Sequence, residues 1–211
     1  MFVKNMLAFI TENSELFVDA VLRHLLICAI TLALSAAIGI PLGYCLAKNA
    51  RLAGPVITLI NCIRMIPVIA AFFILVPIMG MGMPPAIFVL FFYGLYTIVI
   101  STQSGVNNVH AAVVESARGM GMNGWQICVE VELPLARPMI INGVRIATVE
   151  IVAGATIASY ISAGGLGDII LWGMSNMDYS ITFAGGCVVI LIVIVCDMAL
   201  AALQKLSSHY M

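Results

Sequence analysis

Five long apolar runs, at residues 21–47, 55–77, 86–103, 138–161 and 182–203, decide what this chain can become. About twenty apolar residues carry a helix across the roughly 30 Å hydrocarbon layer, and in lipid only helices and closed barrels pair all their backbone groups. Composition agrees: 63% of the residues are hydrophobic and 9% charged, where a soluble domain has about 25% charged. The 211 residues therefore read as one all-α integral membrane domain, 1–211, with five transmembrane helices and the lipid bilayer as solvent. A net charge of −1 with no basic cluster gives nucleic acid no footing. The six cysteines form no Cys-x-x-Cys pair and the three histidines are scattered, so they read as packing residues and no metal site is expected. No Gly-x-x-x-x-Gly-Lys-Ser/Thr loop and no His-Glu-x-x-His pair occur, which argues against ATP held in this chain and against an intramembrane metalloenzyme. A channel stays open as a rival reading.

Ahead of the first run, residues 1–19 are too polar for a signal-peptide core, with Thr11, Glu12, Asn13 and Glu15 interrupting it. Phe2, Met6, Phe9 and Phe17 fall near one helical face, the pattern of an interfacial helix, with a frayed terminus as the alternative. Pro41, Pro67 and Pro77 are expected to kink or loosen their spans. Residues 162–168 break the fourth span at its end, and 169–179 form a semi-polar, partly re-entrant connection.

The one long polar stretch, 107–137, lies between the third and fourth spans. Residues 111–118 suit a helix, Gly119-Met120-Gly121 breaks it, and Asn123 is placed to cap a second. Leu133-Pro134 is expected to end that second helix. Asn123, Gln126 and Glu130 recur on one face, opposite Trp125, Cys128 and Val129. Lys48, Arg51, Arg118, Arg137 and Lys205 all fall on one side of a five-span layout, with Lys4 and Arg23 opposite. The positive-inside rule then puts the polar loop and C-terminus in the cytoplasm and the N-terminus outside. Gly-Met-Gly-Met at 80 and again at 119 has no longer repeat around it and reads as coincidence.

Glu115-Ser116-Ala117, Gly121 four residues later, and Val131-Glu132-Leu133-Pro134 resemble the Glu-Ala-Ala loop of ABC-importer permeases. Ser116 and Val131 are mild departures from the family's Ala and Ile. Arg64-Met65-Ile66-Pro67, Ala117-Arg118-Gly119-Met120-Gly121-Met122, Trp125-Gln126 and Ala163-Gly164-Gly165-Leu166-Gly167-Asp168 look like the permeases for glycine betaine, carnitine and choline. Met65, Val68 and Glu150 depart from that group, and methionine-importer permeases share the general layout. The resemblance implies a type I ABC-importer permease fold with a cytoplasmic helix-turn-helix coupling loop. It also implies an ABC ATPase subunit as partner, a substrate-binding protein, and a second permease copy, identical or related. Under it, ATP and magnesium belong to the ATPase. Glu115, Ser116, Ala117, Arg118, Gly119, Gly121, Leu133 and Pro134 would be the coupling residues. The small Ala111, Ala112, Ser116 and Ala117 would seat the loop helix in an ATPase groove, with Glu115 and Arg118 pairing together or with that groove.

Charges inside spans cost about 2.5–3.5 kcal/mol each and need partners or a path. Arg64 lies roughly 14 Å and Glu150 roughly 18 Å along their spans from the cytoplasmic side, at 1.5 Å per residue. They are at pairing depth. Glu150 is thus either half of an Arg64–Glu150 ion pair or a counter-charge for a cationic cargo. Arg145 is shallower and is expected to snorkel or line the inward mouth. Tyr93 and Tyr96, with Phe88, Phe91 and Phe92, offer either cation–π faces or plain packing. Gly164, Gly165 and Gly167 are expected to shape an outer gate or a plain loop, and Pro67 a hinge of the path.

Overall fold

The computed structural model describes residues 9–208, and all regular structure within them is helical. Helix α1 (Ser14–Lys48) is unbroken through Pro41 and, at 35 residues, runs about 52 Å. The expected boundary near residue 19 is absent. Residues 14–19 continue the first span, and Phe17 is buried with Ala20, Leu166 and Ile169. Phe9 stacks on Trp172 with ring centroids 5.6 Å apart, so this part of the segment packs on the protein. Phe2, Met6 and Lys4 lie outside the described residues.

The second run is two helices, α2 (Ala50–Arg64) and α3 (Val68–Met79), bent by 88°. Pro67 is the cause. Its ring excludes the preceding residue from helical geometry and it has no N–H to continue the ladder. With φ −53° and ψ 132°, Pro67 is itself extended. Where a single kinked span is expected, the pair is sharply bent; among the described residues four helices are long and apolar enough to cross, or five if the bent pair counts as one.

Helix α4 (Met83–Asn107) is the centre of the bundle, with α1 and α6 packed along it and α2 and α3 laid on its other sides. Small residues let the backbones approach, as expected where lipid supplies no hydrophobic drive. A Cβ on Gly43 would lie 2.7 Å from the Val99 carbonyl, and one on Gly143 2.4 Å from the Ser101 Cβ. The core between these helices and α3 holds Ile27, Phe72, Leu90, Ile151 and Ile161.

Helix α5 (Ala111–Gly119) ends in a Schellman turn. The Gly121 amide donates to the Arg118 carbonyl at 2.9 Å and that of Met122 to Ala117 at 3.2 Å. Gly121 has φ +85°, a conformation glycine adopts without penalty. Asn123 caps the next helix, as read from the sequence, and the structure adds a reciprocal bond to the Gln126 side chain that completes a capping box. That helix does not stop at Leu133-Pro134. Helix α6 (Gly124–Ile161) is continuous over 38 residues, about 57 Å. It is π-helical over Ile127–Glu132, and the Leu133 amide reaches back five residues to Cys128. The wider turn makes room just before Pro134, whose ring and missing N–H do not fit a regular ladder. The second half of the polar loop is therefore the front of the fourth span.

After α6, Ser162, Gly164 and Gly165 take positive φ and turn the chain into α7 (Leu166–Ser175), where Gly167 lies in the first turn rather than in the bend. The expected semi-polar connection is this short apolar helix, about 15 Å long and unable to cross alone. Helix α8 (Tyr179–Ser208) closes the chain at the periphery; from Gly186 onward none of its residues with described side chains is buried.

Candidate functional site

The break between α2 and α3 puts Arg64 at a helix end, where its guanidinium pairs with the Glu150 carboxylate of α6. Thr97 of α4 donates to the other Glu150 oxygen at 2.8 Å. The guanidinium carbon lies 4.9 Å from the Tyr96 ring centroid, and the Tyr93 hydroxyl donates to the Ile66 carbonyl freed by the break. Three separate parts of the chain thus converge on one charged cluster. Its Arg64 and Glu150 side chains keep 29% and 23% of their surface exposed, so the pair is lodged in the bundle but not sealed. Pro67 is exposed beside it.

Arg145 is not in this cluster. Its guanidinium grips Asp197 of α8 at 2.9 and 3.0 Å and donates to Gln204 at 2.9 Å. Asp197 was missed in the sequence, although a lone carboxylate in the last apolar run is the same signal that singled out Glu150. Glu132 is also misplaced by the sequence reading. It is 2% exposed, not a loop acid, and takes a hydrogen bond from Tyr44 at 2.6 Å and an ion pair from Lys48, both at the end of α1.

On α5, Glu115, Ser116, Arg118 and Gly119 are exposed, as is Gly121 in the turn, while Ala117 is buried against the chain itself. Ala117 is therefore unavailable to a partner's groove, unlike Ala111, Ala112 and Ser116. Glu115 and Arg118 are not paired with each other among the ion pairs of the described residues. Leu133 and Pro134 are half-buried within α6. Of the three residues opposite Asn123, Gln126 and Glu130, Trp125 and Val129 are exposed and Cys128 is buried. At the far end, Arg23 donates to the Ala163 carbonyl at 3.1 Å and crosses Gly164; His24 lies against Gly165. A Cβ on Gly167 would lie 2.0 Å from the Thr156 carbonyl. Gly164 and Gly165 are close-packed positions in the bend against α1, and Gly167 is one in the first turn of α7 against α6.

Residues 36–209 match the family described as binding-protein-dependent transport system inner membrane component. The chain is 34% identical over 203 residues to the glycine betaine/carnitine/choline transport system permease protein OpuCB of Bacillus subtilis (strain 168), covering 96% of this chain and 94% of that one. It is 35% identical over 196 residues to the carnitine transport permease protein OpuCB of Listeria monocytogenes, covering 93% and 90%. Among solved structures, an inward-facing form of the MetNI methionine ABC transporter is similar with a TM-score of 0.82 at 23% identity, over 92% of this chain and 97% of that chain. That last likeness speaks for the fold alone.

Proposed function

This chain belongs to the family of binding-protein-dependent transport system inner membrane components, and from that premise we propose that its cargo is a quaternary-amine osmoprotectant. It is a permease of an ABC importer, a multi-pass protein of the cytoplasmic membrane that works with an ATPase and a substrate-binding protein. Glycine betaine, carnitine or choline is the cargo class, supported by the relatives of that description over nearly the whole chain. The methionine-type alternative has only a shared fold in its favour.

The mechanism follows from α5 and α6. Exposed α5, with Glu115, Ser116 and Arg118 outward, is the surface the ATPase grips; nucleotide and magnesium stay in that subunit. Because α6 runs unbroken from Gly124 to Ile161, a push on the loop moves a rod reaching the glycine bend at the other end. The path runs past Arg64, Glu150, Tyr93 and Pro67 and is completed by a second permease copy. A charged pair with a quarter of its surface open is costly against lipid, and a polar path between copies relieves that cost. The loop and C-terminus face the cytoplasm and the N-terminus the outside. The observation that carries the reading is the family match across 36–209. The test is uptake of labelled glycine betaine into proteoliposomes holding this permease, its ATPase and its binding protein. Uptake requiring both ATP and the binding protein is expected; ATP-independent passage would mean a channel.

A further inference from the structure

We infer that Arg64, Glu150 and the aromatic wall beside them form a site for a solute carrying both a carboxylate and a quaternary ammonium group, each solute charge replacing one member of the ion pair. The inference rests on the permease reading and narrows its substrate class.

Charge comes first. Arg64 and Glu150 sum to zero, and each is satisfied now by the other. A solute with a cation alone would take Glu150 and leave the guanidinium without a counter-charge in a low-dielectric place, an expensive outcome. A zwitterion exchanges partner for partner: its carboxylate takes the Arg64 fork and its cation takes Glu150. The guanidinium fits that role, because its planar donors match a carboxylate two to two.

Position comes second. Glu150 is held by Thr97 at 2.8 Å on the continuous rod of α6. Arg64 is the last residue of α2, at the 88° break. One charge is therefore fixed and the other sits where the backbone changes direction, so the pair has a built-in way to part. The Tyr96 ring under the guanidinium, 4.9 Å from centroid to carbon, supports Arg64 when its carboxylate partner changes.

The third observation is an adjoining cavity of about 300 Å³, lined by Ile63, Ile66, Phe88, Phe92 and Tyr93 among others. Its residues flank Arg64 in the chain and share Tyr93 with the cluster. The cavity's polar side-chain atom, the Tyr93 hydroxyl, is already donated to Ile66. A primary ammonium paired with Glu150 would still turn further N–H donors toward the cavity and find no free acceptor among its side chains. A quaternary ammonium has no N–H to satisfy, and its methyl groups suit aromatic faces. The wall thus selects against ordinary amino acids while the ion pair selects against simple cations.

The test uses the purified permease–ATPase complex without binding protein, so that only the permease discriminates, and measures binding of glycine betaine, choline and glycine by calorimetry. Glycine betaine is expected to bind at least about tenfold tighter than either of the others. Arg64→Gln should remove the preference over choline, Arg64→Lys should keep it in part, and Glu150→Gln should weaken both glycine betaine and choline. Equal binding of glycine betaine and choline by the unaltered complex, or no binding of glycine betaine, would overturn the site without reference to any variant. Uptake by the full transporter separates the two levels. Uptake of glycine betaine without the preference leaves the permease reading and sinks the site. Uptake of glycine alone sinks both the osmoprotectant reading and the site.

Discussion

Arg145 of α6 and Asp197 of α8 meet in a two-bond fork, 2.9 and 3.0 Å, that ties the peripheral last helix to the rod leading from α5. Ile181 and Ala184 bury the start of α8, but from Gly186 onward no residue with a described side chain is buried, so this contact, with Gln204 beside it, holds the far half of the helix in register. Asp197→Ala is expected to cost about 1–2 kcal/mol, the range for polar contacts between membrane helices. Arg145→Met in the same background should add little. Thermal unfolding of the four proteins of that cycle checks it; fully additive losses would mean the fork contributes nothing.

Close approach of α4 and α6 depends on Gly143. With Ser101 Cβ 2.4 Å from where a Cβ would stand, Gly143→Val should destabilise the bundle by about 1–3 kcal/mol, the usual cost of overpacking. Gly54, inside α2 with nothing in that space, serves as control: Gly54→Ala should not lower the unfolding temperature, since alanine suits a helix better than glycine.

Glu132 makes an asymmetric prediction. Lys48→Met strands a carboxylate that is 3% exposed, and should cost about 3 kcal/mol or more. Glu132→Gln keeps an acceptor for Tyr44 and removes the stranded charge, so adding it to Lys48→Met should restore most of the loss. Unfolding in detergent reads both. A Lys48→Met variant as stable as the parent would show that the pair contributes no stability.

Gly121 is required by its φ of +85°. Gly121→Val should cost about 1–2 kcal/mol of local stability and loosen the end of α5. Hydrogen exchange of the 116–122 amides should quicken about tenfold while the span amides stay protected. Unchanged exchange would mean the Schellman turn does not hold α5 in place.

Much of this architecture is legible in the sequence, for physical reasons that differ by region. The spans stand out because lipid demands continuous apolar runs, and Arg64 and Glu150 are matched by depth alone. The Asn123 helix cap is local chemistry and reads directly. Pro67 was harder: inside an apolar run, a proline that kinks and one that breaks look alike until the neighbours are placed. Pro134 misled in the opposite sense, because the π turn before it lets the helix continue. Arg145 shows the remaining gap, since rise per residue gives depth but not the helix that a side chain faces. Glu132 looked like a loop acid only while α6 was taken to start at Pro138.

The central claim is that exposed α5 is where an ATPase subunit drives this permease. The most direct measurement is ATPase co-purification and glycine betaine uptake with residues 115–121 scrambled, insertion being verified by unchanged protection of the span amides. The account predicts that the ATPase is lost and uptake falls to the level without ATP. Full ATPase retention with normal uptake would contradict it.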